Sequence, residues 1–106
     1  MKLKFHLLSI TCFMILFSSC KKMSLKESYL ALGDSYTVGE SISKKHNWPK
    51  QLVDSLKKRN IFLSEPRIIA KTGWTTDELK KAINDSSLDY PYDWVSLLIG
   101  VNNQYR

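Results

Sequence analysis

The sequence predicts an α/β fold, a parallel sheet with helices crossing between its strands. Three observations carry that prediction. Short apolar runs at 28–32, 67–71 and 94–99 alternate with stretches of helical periodicity. Alternation at this spacing implies parallel pairing through right-handed crossovers. Each apolar run also stops at a polar loop that holds a glycine: Gly33, Gly73 and Gly100. In a parallel sheet those loops share one edge, the carboxyl edge, where open α/β sheets place their ligands.

The first 19 residues stand outside that fold. Lys2 and Lys4 form a positive start, and Phe5 to Phe17 is then apolar except for His6, Ser9 and Thr11. That length suits an export signal and is short for a membrane span. Ser18 and Ser19 lead into Cys20. Small residues before a cysteine at this place resemble the bacterial lipoprotein signal, although Phe17 stands where leucine is usual, with Leu16 one place back. The resemblance implies cleavage before Cys20, a diacylglyceryl thioether on its sulfur, and a protein held at the membrane of the bacterial cell envelope. The alternative is an ordinary secretory signal with an incidental cysteine. Cys12 would leave with the signal, so Cys20 would have no disulfide partner, which favours the lipid.

The mature chain divides into a tether, 20–27, and a domain, 28–106. Its composition, 43% hydrophobic with four Gly and three Pro, is that of a folded domain and not of a disordered segment. Loss of Lys2 and Lys4 brings the net charge from +6 to +4. The excess sits on faces such as Lys57, Lys58 and Arg59, and no basic run interleaves with aromatics, so nucleic acid is not expected as a partner.

Within the domain, Ser28 to Leu32 reads as the first strand and Glu40 to Asn47 as a polar loop. Asn47 can cap a helix with Pro49 in its first turn. Trp48, Leu52, Val53 and Leu56 recur at helical spacing, Lys50, Asp54, Lys57 and Lys58 face outward, and the helix ends near Asn60. Arg67 to Lys71 is the second strand. Thr75 and Glu78 have the spacing of a capping box, and Asp77 favours the same helix end. Leu79, Ala82 and Ile83 form that helix's apolar stripe. Asn84 to Tyr92 is rich in turn formers, and Trp94 to Ile99 reads as a third, buried strand.

The loop Gly33-Asp34-Ser35 carries the chemistry. In isolation it is ordinary turn composition, with glycine supplying unusual backbone angles. It does not fit a phosphate-binding loop, because Glu40 and Ser41 follow Gly39 where Lys and Ser/Thr are needed. It does not fit the G-x-S-x-G elbow, because Thr37 stands two after Ser35. Topology adds what the tripeptide lacks: the shared edge would bring Ser35, the Gly73 amide and Asn102 into one cleft.

In these blocks the sequence resembles the SGNH, or GDSL, hydrolases. Gly33-Asp34-Ser35 matches their first block, Gly73 the second, and Gly100-Val101-Asn102-Asn103 the third, with Asn103 where Asp is usual. The resemblance spans about 29–103. It implies a flavodoxin-like three-layer α/β/α fold with the first three strands present, the second and third flanking the first. It implies an ester substrate and no metal or cofactor. Ser35 would be the nucleophile. The Ser35 and Gly73 N–H groups and the Asn102 amide would form the oxyanion hole, and Asp34 would organise the loop. Such donors are worth about 2.7–4 kcal/mol each to acyl transfer.

The family's base is a histidine three residues after an aspartate. Outside the signal this chain has only His46, with Ser43 three residues before it, and reads as an exposed loop residue. The expectation is an N-terminal portion of a longer hydrolase, weakly active or inactive, whose third strand shows an apolar edge. The alternative is a non-catalytic surface lipoprotein that binds carbohydrate or a protein partner. A nucleotide-binding domain lacks its phosphate motif.

Overall fold

The computed structural model describes residues 25–89 and 91–105. The signal, Cys20 and most of the tether lie outside the described residues. Strand β1 runs Tyr29–Gly33, helix α1 Ser35–Val38, helix α2 Trp48–Lys57, strand β2 Arg67–Ala70, helix α3 Thr76–Asp85 and strand β3 Trp94–Leu98. Lys44–His46 and Val101–Tyr105 are 3-10 turns. The sheet is parallel in the order β2-β1-β3. Gly33, Ala70 and Leu98 are aligned across it, so the three strands end level.

Alternation along β1 divides the core between two faces. Tyr29 and Ala31 pack with Val53 and Leu63 beneath α2. Leu30 and Leu32 pack with Ile69 and Leu79 beneath α3. All five β1 residues are buried because the strand is central and covered on both faces. Burying a side chain such as Leu79 contributes about 1.5–3 kcal/mol.

The helix ends follow local chemistry. The Asn47 side chain accepts from the Lys50 N–H at 3.1 Å, and Pro49 lies in the first turn of α2. That helix stops at Lys57, short of the expected Asn60, which is left-handed at φ 62°. At α3 the Glu78 carboxylate accepts from the Thr75 N–H at 2.9 Å and the Thr75 hydroxyl at 3.2 Å. Lys50 does not face freely outward as expected. Its side chain is 27% exposed and pairs with Glu65 at 2.5 Å, so α2 is tied to the segment leading into β2.

Two expectations need correction. Strand β3 is not buried: Trp94, Val95, Leu97 and Leu98 are 44–64% exposed. The register places Val95 and Leu97 on the α3 side and Trp94, Ser96 and Leu98 on the α2 side, and neither helix extends over them. An apolar run can mean a buried strand only where something covers it. The residues after Gly33 are also not a plain loop: Ser35–Val38 form one helical turn. Gly33 itself has no unusual φ; it is needed for space. A Cβ there would meet Thr37 Oγ1 at 2.1 Å and the Leu98 carbonyl oxygen at 2.4 Å.

The start of the sheet is closed by Ser28 and Asp93. The Asp93 carboxylate accepts from the Ser28 N–H and hydroxyl, both at 2.7 Å, and the Ser28 hydroxyl accepts from the Asp93 N–H at 2.9 Å. The Ser28 amide and hydroxyl hold the Asp93 carboxyl below its usual range.

Gly33→Ala is expected to lower the unfolding free energy by about 2 kcal/mol or more, since both facing atoms belong to packed groups; a denaturant midpoint equal to wild type would contradict it. The contribution of Asp93 is fully present above the ordinary carboxylate range, about pH 4, and is lost as pH falls through its lower folded value. Thermal melts should therefore show a melting-temperature gap between wild type and Asp93→Asn that narrows on acidification; a constant gap would contradict it.

Candidate active site

Asp34 is 1% exposed and caps α1. Its carboxylate accepts from the Tyr36 N–H at 3.0 Å, and its carbonyl accepts from the N–H groups of Thr37 and Val38. The cap fixes Ser35 as the first helical residue, directly past the end of the central strand. Thr37 is fully buried, turned toward Gly33. Ser35, Tyr36, Gly39, Glu40 and Thr72 line an open groove of about 560 Å³. Tyr36 is 62% exposed on its wall.

Gly73 lies in the next loop. The Lys71 carbonyl accepts from the Trp74 N–H at 3.2 Å, and Gly73 has φ 81°. That angle at the third residue of a tight turn suits glycine, which has no Cβ to clash. Thr72 is the second residue of that turn, so the Gly73 amide is one residue from the groove lining. Trp74 packs inward against the Leu30–Leu79 cluster and does not line the groove.

Asn102 approaches from the third loop. Its side-chain Nδ2 donates to the Trp74 carbonyl at 2.9 Å. A primary amide has two N–H donors, so this bond orients the group and leaves a second hydrogen. Asn103 adds two ties: its Oδ1 accepts from the Thr76 N–H at 3.1 Å, and its Nδ2 donates to Thr76 Oγ1 at 2.8 Å. A carboxylate could accept from both Thr76 groups, so asparagine keeps this bridge while removing a charge.

The three glycine-bearing loops thus meet in sequence. Ser35 and Thr72 share the groove, Thr72 and Gly73 share one tight turn, and Asn102 bonds to the Trp74 carbonyl at that turn's end. Neither Gly73 nor Asn102 lines the groove itself. His46 is exposed in its 3-10 turn and also does not line it. Among the described residues, no cluster of three His, Cys, Asp or Glu side chains could hold a metal ion, and no helix is long and apolar enough to cross a membrane. Sequence reading missed α1 and the ties made by Glu40 and Asn103. A signal for α1 was present: Asp34 and Gly39 bracket it as cap and stop.

The family model described as GDSL-like lipase/acylhydrolase matches residues 31–106. Among solved structures, the chain is similar to AlinE4, an SGNH-hydrolase family esterase, with 28% identity and TM-score 0.65, over 79% of this chain and 45% of that one. A serine-to-alanine variant of that esterase matches at 27% identity and an aspartate-to-alanine variant at 28%, both with TM-score 0.65 and the same coverage. The chain therefore spans less than half the length of these esterases. No curated protein matches it significantly. The family match begins within β1 and takes in β2, β3 and all three glycine loops, and with the parallel β2-β1-β3 sheet it shows that this chain belongs to the GDSL-like lipase/acylhydrolase family.

Proposed function

We propose that this chain is a serine hydrolase of acyl esters, those of a lipid or an acetylated carbohydrate, with Ser35 as nucleophile. The observation that carries the reading is the place of Ser35: on a capped turn past the central strand, at the mouth of a groove, beside loops that supply a backbone amide and a carboxamide.

In this reading the Ser35 hydroxyl oxygen attacks the ester carbonyl carbon. The carbonyl π pair moves onto oxygen, which the N–H groups of Ser35, Gly73 and Asn102 stabilise. Collapse expels the alcohol, which leaves with the proton that the Ser35 hydroxyl gives up, and the acyl-serine that remains is hydrolysed by water to the free acid and the free hydroxyl. Fixed donors are effective here because they need no reorientation as charge develops. Asp34 serves by holding the turn and does not act as the base, since it is buried and bonded to the Tyr36 amide. A serine hydroxyl also needs a base to take its proton. His46 is the only histidine among the described residues, and it lies off the groove. Hydrolysis by the 106-residue chain alone is therefore expected to be slow.

We further propose that the protein is exported and anchored at the bacterial envelope through a lipid on Cys20. The residues around Cys20 support this, not the fold.

p-Nitrophenyl acetate hydrolysis by the chain should fall to the uncatalysed rate in Ser35→Ala and should fall toward that rate in Asn102→Ala, one oxyanion donor being worth up to about 10²–10³. Turnover by Ser35→Ala equal to wild type would end the nucleophile assignment. In a bacterial host, Cys20→Ser should lose incorporation of a labelled fatty acid and leave the membrane fraction; a variant still labelled and still sedimenting with membranes would refute the anchor.

A further inference from the structure

Glu40 supplies the groove's carboxylate, and both its backbone and its side chain are engaged. Its N–H donates to the Ser35 carbonyl at 3.1 Å, beside the Gly39 N–H at 2.9 Å. The nucleophile's own carbonyl therefore anchors the segment that carries Glu40. Gly39 before it and Ser41 after it are both left-handed, at φ 78° and 66°. A non-glycine residue in that region persists only where its surroundings hold it. The chain reverses there, and the Glu40 carboxylate accepts a hydrogen bond from the Thr72 hydroxyl. Thr72 is the residue before Gly73, inside the tight turn between Lys71 and Trp74.

We propose that Glu40 is a positioning residue: clasped to Thr72, it fixes the Gly73 amide relative to the Ser35 hydroxyl. The proposal rests on the reading of Ser35 and Gly73 as nucleophile and oxyanion donor, and adds how their separation is set. The loops after β2 and β3 are tied by Asn102 and Asn103. The loop after β1 is tied to the loop after β2 by this clasp, so its loss would let the Gly73 turn and the Asn102 that it carries shift relative to Ser35, which the Asp34 cap keeps in place. Misplacement on the ångström scale is enough to cost a large factor in rate. A surface hydrogen bond with no such role would leave the rate alone.

The test uses Glu40→Ala, Glu40→Gln, Thr72→Val and the double variant Glu40→Ala/Thr72→Val in the 106-residue chain. Each is measured for p-nitrophenyl acetate turnover, melting temperature and the amide NMR signal of Gly73. Glu40→Ala and Thr72→Val should each lower kcat by about tenfold, within the range for misplaced groups, with little change in KM. The double variant should be no slower than either. Glu40→Gln, which keeps an acceptor oxygen, should recover most of the rate. The Gly73 signal should shift or broaden in Glu40→Ala and Thr72→Val and stay in place in Glu40→Gln. Ser35-dependent turnover and a Gly73 signal both unmoved by Glu40→Ala would overturn the clasp alone. Multiplied effects in the double variant would also overturn it, because independent sites add in free energy. Equal turnover by wild type and Ser35→Ala would overturn the underlying reading, and the proposal with it.

Discussion

A missing side chain governs this molecule. Gly33 closes the central strand, and the buried Thr37 and the Leu98 carbonyl fill the space a Cβ would need. The absence lets α1 fold back against the end of β1. Ser35 is thereby held at the rim of the sheet and Asp34 beneath it as a cap. The level ends of the three strands then place the other two loops beside the first.

Side-chain ties hold the neighbouring loops together. Parallel strands bring loops to one edge, but loops are the mobile part of such folds. Here Glu40 reaches Thr72, Asn102 reaches the Trp74 carbonyl, and Asn103 engages Thr76. Each tie runs from one strand's loop to the next. Each bond restricts the loop that it reaches, so the loop positions do not rest on the strands alone. The same ties explain why single residues in this region are hard to read alone: each side chain acts through a neighbour from another loop.

The two sides of β1 are not alike. Toward β2, the Lys50–Glu65 pair and the packing of Ile68 and Ile69 finish the sheet. Toward β3, apolar residues remain exposed on both faces. A bare apolar edge invites pairing with another chain. The chain spans less than half the length of the esterases it resembles.

Much of this was determined by sequence alone. Strand and helix positions, parallel pairing and the gathering of glycine loops follow from periodicity and local chemistry, which act over a few residues. The order β2-β1-β3 came with the family resemblance and stands in the structure. Tertiary structure decided the rest. The short helix at Ser35–Val38 has too few residues to show a period, and depends on Asp34 being buried as its cap. The apolar edge of the third strand was expected from the strand order, but the exposure of both faces of Trp94–Leu98 could not be read from an apolar run, since burial depends on what lies across the sheet and not on the strand. The Glu40–Thr72 bond links residues 32 apart in the chain, and no local pattern encodes a contact that exists only once two loops share an edge.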